Sequence, residues 1–203
     1  MTDSQSVYSA DLAGVVVGET AISDVQGDAG VLSYRGIDIN ELVGVPFLHA
    51  AWLVVFGDWP TEQEKSALKS FMCRHATLSH AEQDLLGQVD RSLHPMLMLQ
   101  GLVPLLRMPE EETLGRGLDA EHGLFIAAKI SSLIAAHYRL GQNKSILNPT
   151  PGKLRHDNFL TMFHGRAPTR EQVRMLDAAQ ILQMEHSFNA GTFAGRVCAS
   201  TLA

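Results

Sequence analysis

Thr169-Arg170-Glu171-Gln172-Val173-Arg174-Met175-Leu176-Asp177-Ala178-Ala179-Gln180-Ile181-Leu182-Gln183-Met184-Glu185-His186-Ser187-Phe188-Asn189-Ala190-Gly191-Thr192-Phe193 reads as a helix that stops in mid-course. Val173, Leu176, Ala179, Ile181, Leu182 and Met184 give it an apolar face at helical spacing. Thr169 followed three residues later by Gln172 is a capping box, in which each side chain satisfies a backbone N–H near the other, and Pro168 bars a helix from running through from before. Ser187, Asn189, Gly191 and Thr192 are poor helix formers in a cluster, so a break is predicted there, with helix ends exposed on either side. From Phe193 to Ala203 the chain is again small and apolar. It reaches no glycine cap, proline or charged last turn and reads as cut rather than concluded.

Working outward, the same start signal recurs at Thr61 with Glu64, after Pro60, and at Ser79 with Glu82. Leu118 to Leu140 is an apolar helix whose Ala127, Ala128, Ala135 and Ala136 let another helix approach closely. Leu42, Val45, Leu48, Trp52 and Val55 are helically spaced. Met96 to Leu106 is almost entirely apolar, which predicts a helix buried on most sides and bent or ended by Gly101 and Pro104. Gly141 to Gly152 is a loop. Strand-like residues are confined to the first forty, where Val15-Val16-Val17 and Val31-Leu32-Ser33-Tyr34 flank a turn-rich stretch holding Gly27, Asp28 and Gly30. The expected fold is therefore mainly α, with a short N-terminal β hairpin or extended arm over 1–40 and a multi-helical part over 41–203.

The composition excludes several classes. A formal charge of −6 with sixteen scattered Lys and Arg gives no face for a phosphate backbone, so no nucleic acid is expected. The longest apolar stretch, Ala50 to Phe56, is bounded by Pro46, Gly57 and Pro60, so no membrane span is expected either. Met1 to Ala10 lacks the basic start and apolar core of a signal peptide, and cytoplasmic retention is the expectation. Cys73 and Cys198, far apart and without metal spacing, read as reduced thiols.

Nine histidines are present. His49, His75, His80, His122, His137 and His164 are expected at the surface or at helix edges. There is no His-x-x-x-His, Glu-x-x-His or Cys-x-x-Cys, hence no metal expected, and neither a Gly-rich phosphate loop nor a Gly-x-Ser-x-Gly elbow. His186 differs, because an imidazole at a helix break can meet both solvent and free backbone groups. On the residues alone, a structural histidine and a proton-transfer group both stay open.

The segment Glu185-His186-Ser187-Phe188-Asn189-Ala190-Gly191-Thr192-Phe193-Ala194-Gly195-Arg196-Val197 resembles the active-site segment of the citrate synthase family, which includes the 2-methylcitrate synthases. Gly14-Val15-Val16 with Thr20, Leu32-Ser33-Tyr34-Arg35-Gly36-Ile37-Asp38-Ile39, His94-Pro95-Met96, and Asn158-Phe159-Leu160 leading into Pro168-Thr169 agree in the family's order. The resemblance covers the chain from about Leu12 to its end and identifies it as an N-terminal portion of the family's large domain, without the small CoA-binding domain.

This resemblance implies condensation of an acyl-CoA, acetyl-CoA or propionyl-CoA, with oxaloacetate to citrate or 2-methylcitrate plus CoA. No metal or bound organic cofactor is implied, the CoA thioester being a substrate. His186 is implied as the catalytic donor to the enolate oxygen that forms when a carboxylate removes the thioester α-proton. His94 is implied near the substrate cleft, with a buried histidine ordering the turn before Pro95 as the favoured reading. His156 is a carboxylate-binding candidate, and Asn189 with Thr192 caps the helix break. Arg35 fixes the N-terminal arm. Gly191 and Gln183 depart from the serine and histidine common in the family. The family's second catalytic histidine, its aspartate base and its carboxylate-gripping arginines have no match here.

The chain is accordingly expected to be inactive alone, with a homodimer partner and possibly a C-terminal half on another chain. A catalytically incomplete binding or oligomerisation module, and a citryl-CoA lyase, are the alternatives.

Overall fold

All three capping boxes form, and they set three of the helix starts. Thr61, Ser79 and Thr169 each accept from the backbone N–H three residues on, while Glu64, Glu82 and Gln172 reach back to the cap. The computed structural model describes residues 18–109 and 113–201, so the strand expected at Val15–Val17 lies outside the described residues. Within them the chain forms an antiparallel sheet of β1 (Ser23–Gln26), β2 (Val31–Tyr34) and β3 (Ile37–Asp38), with a 3-10 turn at Gly27–Ala29 closing the hairpin. Ser23 faces Tyr34 and Gln26 faces Val31 across the first pair. Helices follow in the order α1 (Ile39–Leu42), α2 (Phe47–Phe56), α3 (Glu62–Ala76), α4 (His80–Gly87), α5 (Pro95–Leu102), α6 (Leu118–Gly141), α7 (Arg155–His164), α8 (Arg170–Leu182) and α9 (Ala190–Ser200). The fold is mainly α with a small sheet, as the periodicity predicts.

α6 is the central helix. On one side Phe125 and Ala128 pack with Trp52 of α2 and Leu68 and Phe71 of α3, and on the other Leu133 and Ala136 pack with Leu86 of α4 and Met98 and Leu102 of α5. The alanines let those neighbours come close. A third cluster joins the sheet to the end of α8, through Tyr34, Leu42, Leu53 and Ile181. Arg35, at φ +51°, donates from Nε and NH2 to the Val54 carbonyl at 3.2 and 2.8 Å, so it fixes the N-terminal arm to α2 as expected.

Some expectations need correction. The helical spacing from Leu42 to Val55 spans two helices, because the turn at Val43–Pro46 separates α1 from α2, and its residues part company: Leu42 packs in the cluster with Tyr34, Leu48 and Trp52 pack in the one with Phe71, and Val55 is exposed. The apolar run after Met96 is not buried on most sides. α5 ends at Leu102 and a 3-10 turn spans Val103–Leu105, as Gly101 and Pro104 require, but Met96, Leu97 and Leu105 are 64%, 53% and 59% exposed. Only the Met98, Leu99 and Leu102 face meets α6.

His75 and His137 are buried rather than superficial. His75 lies edge-on to Phe71 and Phe125. His137 reaches the Leu93 carbonyl from Nε2 at 2.8 Å. Their helices turn those faces inward, which single residue types do not disclose.

Candidate active site

α8 ends at Leu182, earlier than the sequence predicts: Gln183, Met184 and Glu185 are good helix formers that lie outside it, while Gly191 and Thr192, expected in the break, fall within the first turn of α9. The last turn of α8 packs Ile181, fully buried, against Tyr34, and the chain then runs without helix from Gln183 to Asn189. A helix terminus leaves carbonyls without intrahelical donors. Here the Tyr34 hydroxyl donates to the Ile181 carbonyl at 3.0 Å, with the Leu182 carbonyl at 3.4 Å, and accepts a long bond from the Glu185 N–H at 3.4 Å. Burial pushes the Tyr34 phenol above its ordinary pKa, opposed by the Glu185 and Met184 backbone groups, so it stays a neutral donor.

Beyond it, the Glu185 carboxylate turns onto the Ser187 N–H at 2.8 Å. Ser187 sits at φ +74°, a left-handed conformation uncommon outside glycine, and its hydroxyl lies 3.4 Å from that of Ser23. The Phe188 ring carries the Arg196 guanidinium at 4.5 Å, and a Cβ at Gly18 would come within 3.0 Å of that ring, so only glycine fits comfortably there.

His186 stands between these fixed neighbours, exposed, with no hydrogen bond among the described residues. Three residues on, Asn189 caps α9 by accepting from the Thr192 N–H at 2.7 Å. A small groove of about 130 Å³ follows along α9, lined by Phe188, Phe193, Arg196, Val197 and Ser200. His186 and Asn189 are thus brought into one break.

His94 and His156 lie elsewhere. His94 is exposed, not buried, and orders the start of α5 by accepting from the Met96 N–H on Nδ1 at 3.2 Å, with Pro95 at the first helical position. His156 is 2% exposed on α7, and both its nitrogens are engaged: Nδ1 with Asp177 of α8 at 2.5 Å, and Nε2 with an Arg155 N–H at 2.9 Å. Desolvation lowers its pKa, Arg155 adds to this, and Asp177 opposes it, so the neutral ring with Nδ1–H donating fits both partners. Neither nitrogen has a donor left for a substrate carboxylate. Arg155 itself is wedged against Phe47, donating to Ser131 and Ala127 of α6, and burial pulls it down to about 10 against the pull of Asp177.

Among the described residues no group of three or more His, Cys, Asp or Glu could hold a metal ion, and no helix is long and apolar enough to cross a membrane. Both cysteines are free thiols.

An α-helical chain broken at Glu185-His186, with the break pinned by Tyr34, also matches known proteins as a whole. The family model described as citrate synthase, C-terminal domain, matches residues 11–203. The chain belongs to the citrate synthase family. A 2-methylcitrate synthase of Shewanella oneidensis is 32% identical over 100% of this chain and 54% of its own length. A citrate synthase of Synechocystis is 31% identical, over 100% of this chain and 51% of its own length. The crystal structure of citrate synthase from Thermotoga maritima superposes with a TM-score of 0.83 at 29% identity, covering 97% of this chain and 52% of that one.

This citrate synthase family chain therefore spans about half the length of the curated relatives it matches. Residue reasoning missed Tyr34 and Ser23 as supports of the break and the Arg155–His156–Asp177 chain. A buried tyrosine hydroxyl does signal a partner, since it is seldom left unpaired, but the partner's identity lies 147 residues away in sequence.

Proposed function

We propose that the chain is the part of a citrate synthase-type acyltransferase large domain that supplies His186 to the condensation of acetyl-CoA or propionyl-CoA with oxaloacetate. The observation that carries the reading is an exposed imidazole, without a hydrogen bond among the described residues, at an interrupted helix whose flanking backbone N–H groups are held. A thioester α-proton is very weakly acidic, so its removal needs a hydrogen-bond donor already placed where the enolate oxygen gains charge. His186 is that donor. A carboxylate base takes the proton, the enolate carbon attacks the oxo carbon of oxaloacetate, and the resulting thioester is hydrolysed to the tricarboxylate and CoA.

The base, the second histidine and the arginines that hold the oxo acid come from sequence outside these 203 residues, on the same or another chain. The thioester is a substrate, and no metal or organic cofactor takes part. His94 and His156 serve α5 and the α7–α8 junction rather than substrate, and Asn189 holds the α9 terminus beside His186. The likeness to both citrate and 2-methylcitrate synthases leaves the acyl group between acetyl and propionyl. A cytoplasmic homodimer is the proposed setting. The exposure of apolar residues on α5 and α9 favours association with a second copy or a complementing chain.

Free CoA release from acetyl-CoA and propionyl-CoA with oxaloacetate tests the reading, with the chain alone and with the remainder of the family's length supplied. Turnover is expected only in the second case, with His186→Ala lowering kcat by about a hundred-fold or more. Turnover that survives that substitution would refute the assignment.

A further inference from the structure

We infer that one cross-strand pair, Ser23 of β1 and Tyr34 of β2, is the device that positions His186, one member holding the residue before it and the other the residue after. The two residues face each other directly in the antiparallel register. Tyr34 reaches the end of α8 and the Glu185 N–H, while the Ser23 hydroxyl meets that of Ser187. The backbone N–H before His186 and the side-chain hydroxyl after it are thus both held, by contacts of 3.4 Å, to a single rung of the sheet. That rung is itself anchored, because Tyr34 is 0% exposed within the cluster holding Leu42 and Ile181, and Arg35 bolts the next residue to α2.

Two further features make this a positioning arrangement. Ser187 is held at positive φ, a conformation that costs energy in a non-glycine residue and persists only where the surroundings impose it. The Glu185 side chain is turned back onto the Ser187 N–H, so the backbone around His186 is closed on itself while the imidazole has no hydrogen bond among the described residues. The fixed backbone sets where the imidazole starts from and leaves its nitrogens open to a ligand, which matters because a shift of about 1 Å in a reacting group can cost about a hundred-fold in rate. The Ser23 and Tyr34 hydroxyls are both taken up by the 181–187 segment. They act through His186, and their role rests on the proposed function above.

The test compares Tyr34→Phe, Ser23→Ala and His186→Ala in the condensation-competent protein, with Ile39→Val as a core control near the same cluster. Tyr34→Phe is expected to lower kcat by about ten-fold or more and Ser23→Ala by a few-fold, with KM for oxaloacetate within about two-fold of wild type. Ile39→Val should leave kcat unchanged although it also weakens packing around Tyr34. In the 203-residue chain, amide exchange at Glu185 should quicken by about ten-fold in Tyr34→Phe. If His186→Ala abolishes turnover while Tyr34→Phe and Ser23→Ala keep full kcat, the positioning claim falls and the function stands. If His186→Ala keeps turnover, the function itself falls. Should Tyr34→Phe not fold, Ser23→Ala decides: full kcat, together with unprotected exchange at Glu185 in the wild-type chain, overturns the inference.

Discussion

His156 shows how a residue that looks like a ligand can be committed to structure. Its ring is neutral because Nδ1–H serves Asp177 and Nε2 receives Arg155, and a proton added at Nε2 would face the guanidinium. Its pKa in the folded chain is below the ordinary histidine value, so below about pH 6.5 the unfolded chain binds a proton that the folded chain refuses. The stabilisation is present in full above that pH and drains away as pH falls through the folded value. Urea midpoints of the 203-residue chain should fall as pH drops from about 7 towards 5, and His156→Gln should flatten that slope. An unchanged slope in the variant would assign the acid sensitivity to other groups. The Asn189 cap allows a second check at the same scale. Asn189→Ala should cost ~1 kcal/mol, read as faster amide exchange in the first turn of α9, with the rest of the chain unaffected.

Among the elements, α6 depends most on polar groups placed inside the fold. Lys129, 6% exposed, donates to Glu82 at 2.7 Å and to the Thr77 carbonyl at 2.9 Å, and Glu82 also completes the capping box of α4. Removing Lys129 leaves the half-buried Glu82 carboxylate with the Ser79 N–H as its remaining partner, so Lys129→Met should cost ~1–2 kcal/mol. Lys129→Met with Glu82→Gln should cost less than the sum of the two single changes in a double-mutant cycle by thermal denaturation. Additive losses would mean that the two side chains act independently. At the end of α7, Gly165 has φ +77° and a Cβ there would come within 2.7 Å of Arg139, whose Nε holds the Ser145 carbonyl. Gly165→Ala should therefore cost more than ~1 kcal/mol, from backbone strain and a displaced Arg139 together.

The same elements explain what could be read in the sequence. The starts of α3, α4 and α8 were legible because a capping box is a contact three residues long. The break at His186 was legible because poor helix formers cluster just after it, although the helix stops at Leu182, four residues before His186, where Ile181 packs on Tyr34. β1 was not legible, since Ser23-Asp24-Val25-Gln26, exposed but for the half-buried Ser23, shows no alternation and is a strand only by pairing with β2. The burial of His75 and His137, the engagement of both His156 nitrogens and the reach of Tyr34 to Ile181 all depend on partners far along the chain. No local pattern encodes them.

Over the whole molecule, the unevenness of burial is the chief remaining signal. Interior positions on α2, α3 and α6 are closed to solvent, yet Met96, Leu97 and Leu105 at α5, and Met175, Leu182 and Val197 on α8 and α9, are each more than 45% exposed, while α9 has no buried residue. Single exposed apolar residues are ordinary, but several on one short helix and its following turn make a patch of the kind that favours association. The chain is therefore expected to associate with itself as its concentration rises, seen as a concentration-dependent sedimentation coefficient. Met96→Glu and Val197→Glu separate the two faces, because a carboxylate placed at a covered position must be desolvated or drive the copies apart. Weaker association with Met96→Glu alone would assign the contact to α5, and with Val197→Glu alone to α9, beside the break that carries His186. A folded monomer at all concentrations, unaltered by either substitution, would reject self-association through these faces.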